Sequence, residues 1–567
     1  MITFLFCRTE LLNLIKNLKD SICNKNTDEF DQLLKQCPTN YSQLHEVVNH
    51  AIKEGNHEIL KCVVDFVDES VLSHRDEAGK TSLHHAISKK DVRCCRILMD
   101  NRNLLFEKDN NGDTPLHCIT RDNFIEGCKE ALKWPLAEND HQPTSKYSNS
   151  SLIKQINNKN GQTAVHIAAS EHNDETILKI LLENGGKPVS KTRLGQTSLH
   201  CAIEKGYVNC VSALLNSITE ADRKPLINAV TNDKSTALTI AAKKGFSECC
   251  SLLQDADLDH HDNQGNTALH YAAQKGSKTI VEYLLDKKAK TDIRNNKKQT
   301  ALCLAAAGDH VECMKLFLDK TVFIDKPEDL LHIATSKKSL RTVEELLSRE
   351  EFIKVNNTQD RNGDTCLHIA IKQRLPEIAL ALLSCNPPAS KEICNNRNEY
   401  PLHLAAMLTK GPNRASQKWR DVLCNVVFKR SHPIVNKCTV NGDTPLHLAA
   451  KSGNILAVRA LILRGCQITS KNSNGLTAIH LSAENGHNEA LEILLAHLKK
   501  RIEKKEIQDI RPHPLHLAAI NGSKQCCEII LEELEVSLIN FILADKSLIS
   551  RLKSLWDNYF SSLLENI

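Results

Sequence analysis

Apolar residues along the chain fall into paired short runs. In one stretch Leu269, Ala272 and Ala273 precede a glycine, and Ile280, Val281, Leu284 and Leu285 follow it. Spacings of three and four residues place each set on one face of a helix, so the stretch predicts two short helices joined at Gly276. Polar, turn-forming residues then intervene, as in Gln264-Gly265-Asn266 and Asn362-Gly363-Asp364. The pattern then starts again, so the chain is read first for internal repeats.

The repeated unit is anchored by a four-residue motif. Thr114-Pro115-Leu116-His117 returns as Thr444-Pro445-Leu446-His447, with variants at Thr81, Thr163, Thr197, Thr267, Thr365 and Thr477, each three residues before a His. Weaker copies lie at Thr236, Thr300, Leu330, Pro401 and Pro514, which gives thirteen units, and a degenerate one surrounds Val48-Asn49-His50-Ala51. The copies that match best are 33 or 34 residues apart. Thr suits the cap of the helix that follows, and Pro suits its first turn, where no N–H is required. Pairs such as Ala241-Ala242, Ala272-Ala273 and Ala449-Ala450 allow close helix approach, and Gly206, Gly245, Gly276 and Gly453 suit a left-handed helix end. Asn110-Asn111-Gly112-Asp113 and Asn441-Gly442-Asp443 supply sideways turns. A single unit cannot bury its apolar face, so stability must come from stacking on neighbours.

These residues resemble the ankyrin repeat family over residues 45–535. The resemblance implies an all-α solenoid of about 13–14 helix-turn-helix repeats with β-hairpin fingers, and a structural role for the motif His, which ties finger turn to helix by hydrogen bonds. Residues 1–44 are expected to form an N-terminal helical cap. Weaker, insertion-bearing units fall near 118–160, 205–235 and 407–440, and residues 536–567 form a C-terminal helical cap or a partner-binding helix. In this family partners lie along the concave side, against finger tips and the end of the first helix. Carried onto this chain, that rule selects Lys89, Arg121, Lys205, Lys243, Lys244, Lys275, Lys337, Lys372 and Lys451, against Asp122, Glu171, Glu204 and Glu484. The strip is basic and favours acidic protein partners, chiefly by speeding encounter. Trp556, Tyr559 and Phe560 add aromatic surface near the C-terminus.

Gly185-Gly186-Lys187-Pro188, Ile227-Asn228-Ala229-Val230 and Leu375-Pro376-Glu377-Ile378 ahead of Cys385 are similar to the cytosolic ankyrin region of transient receptor potential channels of the ankyrin type. That narrower resemblance implies a sensory or regulatory domain associated with a membrane channel, with cysteines as electrophile sensors. Such channels continue into six membrane helices. Here no apolar run approaches the roughly 18 residues a span requires, so the expectation is a soluble relative or fragment that inserts into no membrane and conducts no ions.

Composition adds exclusions. The net charge of +4 over 567 residues argues against nucleic acid as a partner. The run Met1 to Cys7 lacks a basic lead and a cleavage site, so no secretory signal is read there and a reducing, cytoplasmic location is expected. The 22 cysteines are scattered without any Cys-x-x-Cys pair, and Cys94, Cys95, Cys210, Cys249, Cys250, Cys313, Cys526 and Cys527 occupy positions where other repeats carry Ile or Val. No phosphate loop, dinucleotide fingerprint, nucleophile elbow or kinase motif occurs. The expected function is therefore a non-enzymatic interaction scaffold or adaptor, without cofactor or metal. The rivals are the channel-related sensory domain and a substrate-recruiting adaptor of an enzyme complex.

Overall fold

The cap expected from the motif forms, with the His as its second half. In the computed structural model, which describes residues 8–37, 43–133, 153, 157–320, 327–408, 415–426, 432–501, 514–534, 550, 551 and 554, Thr81, Thr114, Thr163, Thr197, Thr267, Thr365, Thr444 and Thr477 each begin a helix in extended backbone geometry. Each forms a capping box with the His three residues on. The Thr114 N–H donates to His117 Nδ1 at 3.2 Å, and that of Thr444 to His447 Nδ1 at 3.1 Å. At Thr236 the third residue is Thr239, whose Oγ1 accepts the same N–H at 2.7 Å. First helices close on Gly206, Gly245, Gly276 and Gly453 at φ between 68° and 87°.

The chain divides into two compact units, residues 1–301 and 302–567. The first begins with helices Arg8–Cys23 and Thr27–Leu34, which bury Leu18, Ile22 and Phe30. Helix pairs follow, among them Leu44–Glu54 with His57–Phe66, Ser82–Ser88 with Val92–Met99, Ser198–Lys205 with Val208–Asn216, and Ala268–Lys275 with Lys278–Asp286. The second unit repeats the arrangement, as in Cys366–Lys372 with Pro376–Ser384 and Pro445–Ser452 with Ile455–Leu463. Within each unit first helices pack on first helices and second on second. Alanine is what permits this approach: Ala241, Ala242, Ala272, Ala273, Ala449 and Ala450 are fully buried between neighbours. The Leu of the motif lies beneath, with Leu116, Leu269, Leu367 and Leu446 no more than 1% exposed, each contributing about 1.5–3 kcal/mol by leaving water.

Two inserted segments are helical: Glu220–Ile227 in the second interval and Ala415–Val426 in the third. The polar insertion at 138–145 and the terminal residues Trp556, Tyr559 and Phe560 lie outside the described residues. A further helix, Glu350–Lys354, was not predicted by the repeat pattern and buries Phe352 completely.

The fingers are four-step turns instead of strand hairpins. No strand forms among the described residues, and the one β-bridge pairs Val230 with Thr236. Each turn is closed by two main-chain bonds, as from Asp262 N–H to Asn266 O at 3.1 Å and from Gly265 N–H to Asp262 O at 2.9 Å. The fourth residue is left-handed and is usually glycine, as at Gly112, Gly265, Gly363 and Gly442, but it is Lys234, Lys298 and Asn398 in three turns. A side chain there strains the backbone by about 1–2 kcal/mol, so Lys298→Gly is expected to raise stability. The net gain is about 0.5–1 kcal/mol once glycine's extra freedom in the unfolded chain is subtracted. Thermal melting of the variant checks this; a lowered melting temperature would contradict it.

Candidate partner-binding surface

The finger turns are organised by one side chain each. The Oδ1 of Asp109, Asn158, Asp262, Asn295, Asp360, Asn395 or Asn472 accepts the N–H groups two and four residues on; for Asp262 the distances are 2.8 and 3.0 Å. Successive tips are joined by main-chain bonds, Arg193 to Asn160, Asn232 to Leu194, Asn263 to Asp233 and Asn296 to Gln264, at 3.0–3.1 Å. The motif His carries the link between repeats. With Nδ1 used as an acceptor, the ring is neutral with its proton on Nε2, which donates to a finger carbonyl of the next repeat: His117 to Gln162 at 3.0 Å, His270 to Gln299 at 3.1 Å and His447 to Leu476 at 3.0 Å. The resemblance implied a tie between finger and helix; the structure places that tie across the repeat boundary. Burial drives the pKa of these rings down.

The basic strip divides into tied and untied members. Arg121 Nη1 reaches Asp113 at 2.6 Å, Lys372 reaches Asp364 at 2.8 Å and Glu399 at 3.6 Å, and Lys244 meets Glu204 at 2.5 Å. These three are half spent inside the protein. Lys89, Lys205, Lys275, Lys337 and Lys451 are exposed without an ion pair, and Lys243 lies 5.3 Å over the Tyr271 ring. Tyr271 is itself held by a hydrogen bond from its hydroxyl to Asp262 at a finger base, and burial and that carboxylate push its pKa up to about 12. Contacts of this kind, helix end to finger base eight or nine residues earlier, put both elements on one face.

The residue just before the capping Thr decides between the two classes in neighbouring repeats. It is acidic at Asp113 and Asp364, which hold Arg121 and Lys372, but neutral at Gln196, Ser235 and Asn266, which precede the helices carrying Lys205, Lys243 and Lys275; Lys244, the last residue of the middle helix, is tied instead to Glu204 of the preceding repeat. Lys451 follows Asp443 but forms no ion pair with it; Asn472 donates to that carboxylate at 2.9 Å, as Asn158 and Asn395 do to Asp113 and Asp364. Arg193, Lys234, Lys297 and Lys298 at the finger tips are also exposed and make no ion pair. The sequence reading had passed over these four, although the five-residue turn spacing marks them.

The cysteines follow the apolar reading. Cys94, Cys95, Cys249, Cys250, Cys526 and Cys527 are fully buried, and burial pushes Cys95, Cys250 and Cys527 up to about 12. Cys23, Cys424 and Cys438 are the exposed cysteines among the described residues. His57, Asp91 and Cys94 bring ligand-type atoms within 4.8 Å of one another, but their contacts are already occupied structurally. Asp91 Oδ1 caps a helix by accepting from Arg93 and Cys94 N–H, and Oδ2 meets His57 Nε2 at 2.8 Å. No helix among the described residues is long and apolar enough to cross a membrane.

Comparison with known proteins agrees with this geometry. The sequence profile described as Ankyrin repeats (3 copies) matches residues 44–146, 137–225, 221–295, 288–357, 331–416, 413–506 and 446–540. Transient receptor potential cation channel subfamily A member 1 of Homo sapiens is 25% identical over 500 residues, covering 79% of this chain and 42% of that protein. The Caenorhabditis elegans homolog of that channel is 22% identical over 253 residues, 44% of this chain and 19% of its own length. NF-kappa-B inhibitor zeta of Homo sapiens is 24% identical over 330 residues, covering 58% of this chain and 39% of that protein. The chain thus spans less than half the length of each of these relatives. With the family profile matched from residue 44 to residue 540 and the capped, finger-linked helix pairs in place, the chain belongs to the ankyrin repeat family.

Proposed function

We propose that this chain is a non-enzymatic, cytoplasmic interaction scaffold that docks protein partners on the face shared by its finger tips and first-helix ends. The observation that carries this reading is the division of the helix-end cations: some are consumed by internal carboxylates, while Lys205, Lys243 and Lys275 in successive repeats are left open to solvent. The polar groups elsewhere in the repeat are engaged in caps and inter-repeat bonds, which leaves recognition, not chemistry, as their collective product.

A second reading is favoured by the extent of one likeness. The alignment with the human cation channel covers 79% of this chain, against 58% for NF-kappa-B inhibitor zeta. On that reading the chain is a regulatory domain that associates with a membrane channel. Proximity labelling in cells, with the intact chain compared against one truncated after Asn540, separates the two. A partner set retained after truncation and free of membrane proteins supports the scaffold. Recovery of channel subunits supports the second reading, and loss of every partner on truncation removes binding from the repeats.

A further inference from the structure

We infer that the face formed by the three repeats whose first helices are Ser198–Lys205, Ala237–Lys244 and Ala268–Lys275 binds an extended acidic peptide with anionic side chains three residues apart. The inference deepens the scaffold reading and rests on it. These three helices are consecutive and pack directly on one another. Their C-terminal turns present the exposed lysines Lys205, Lys243 and Lys275, alongside Lys244, which is tied to Glu204, and none of the three has a carboxylate in its own finger base, since Gln196, Ser235 and Asn266 stand there. The local acidic side chains are engaged: Glu204 by Lys244, Asp262 by Tyr271 and by the N–H groups of its own turn, and the finger-tip Asp233 by the hydroxyls of Thr231 and Ser235. The same face gains charge from Arg193, Lys234, Lys297 and Lys298 on its finger tips.

The spacing follows from helix packing. Helices in direct contact lie about 8–10 Å apart, so the three lysines form a ladder with rungs of that separation. A chain in the polyproline II conformation has three residues per turn and advances about 3.1 Å per residue, so side chains three apart lie on one side, about 9 Å from each other. A peptide carrying Glu, Asp or phosphoserine at i, i+3 and i+6 places one anion beside each lysine. One with the same charges crowded at adjacent positions cannot satisfy all three. Lys243 is held in place over the Tyr271 ring, which lowers the side-chain entropy lost when an anion docks. Repeats whose cation is already tied, at Arg121 and Lys372, do not extend the ladder.

The test uses the full chain and fluorescein-labelled twelve-residue peptides followed by anisotropy at low and physiological salt. One peptide carries Glu at i, i+3 and i+6; a second has the same composition with the three Glu adjacent; a third has Gln in their place; a fourth carries phosphoserine at the spaced positions. The expected result is saturable binding of the spaced Glu and phosphoserine peptides, at least tenfold weaker binding of the other two, and weakening with salt. Lys205→Glu, Lys243→Glu and Lys275→Glu together should reduce affinity for the spaced peptides at least tenfold, while Lys89→Glu with Lys451→Glu changes it less than twofold. Unchanged far-ultraviolet circular dichroism and melting temperature confirm that both variants are folded. A phosphoserine peptide that binds alone, without its Glu counterpart, assigns the ladder to phosphorylated partners. Equal binding of spaced and clustered peptides, or binding untouched by the triple reversal, overturns the inference. If no peptide binds while the cell experiment still recovers repeat-dependent partners, this inference falls and the scaffold reading stands.

Discussion

Acidification from pH 6.5 toward about 4 is expected to destabilise the repeat stacks, with the loss beginning well above the carboxylate range. Eight motif histidines, at 84, 117, 166, 200, 270, 368, 403 and 447, have pKa values lowered first of all by burial. For His200 and His403 the value falls from 6.5 to about 4. Between the unfolded and folded values the unfolded chain binds more protons, so stability rises with pH across that window. The contribution is complete above 6.5 and is lost as pH drops toward 4. At about 1.4 kcal/mol for each unit separating the two values, His200 and His403 each account for ~3 kcal/mol.

The geometry gives the cause: a proton on Nδ1 would remove the acceptor for the capping Thr N–H and place a charge in a dry site. Aspartates held low, such as Asp113 beside Arg121, begin to protonate only below their usual range, so a fall in melting temperature between pH 6.5 and 5 belongs to the histidines. Melting followed by circular dichroism from pH 7.5 to 4.5 reads the effect, and a flat profile above pH 5 would refute it. His447→Thr, which imports the cap already used at Thr239, should lower stability at pH 7.5 while making its pH dependence shallower.

Replacing Phe352 by Ala is expected to cost about 3–5 kcal/mol, the range for emptying a buried aromatic site. Phe352 is wholly buried on the five-residue helix Glu350–Lys354, which packs against Pro327–Ser336 and Leu340–Leu347. So short a helix has almost no stability of its own; its place depends on that ring. Denaturant unfolding of the variant should therefore show both a lower midpoint and faster amide exchange across 350–356. A cost below about 1 kcal/mol would show that the ring is dispensable.

Phe352 also marks where sequence reading stopped. The repeat pattern identifies what recurs, and this helix occurs once, between two repeats. By contrast the caps were legible because their chemistry is local: Thr, the following Pro and the His act within a single helical turn. The buried cysteines were legible because Cys94, Cys249 and Cys526 replace Ile or Val at a fixed offset. The basic strip was legible only as positions. Which cations are free depends on partners eight residues away or in the preceding repeat, as Asp113 is for Arg121 and Glu204 for Lys244.

Sequence by itself therefore determined the repeat, its two helices, its capped start and glycine end, and its membership of one family, because each rests on contacts within a few residues. Tertiary structure alone decided the direction of the histidine bonds, the buried place of Phe352 and which cations of the basic strip stay open, Lys205, Lys243 and Lys275 of the three-helix ladder among them. Those outcomes depend on what the neighbouring repeat presents, and burial and charge pairing are properties of the stack, not of the unit.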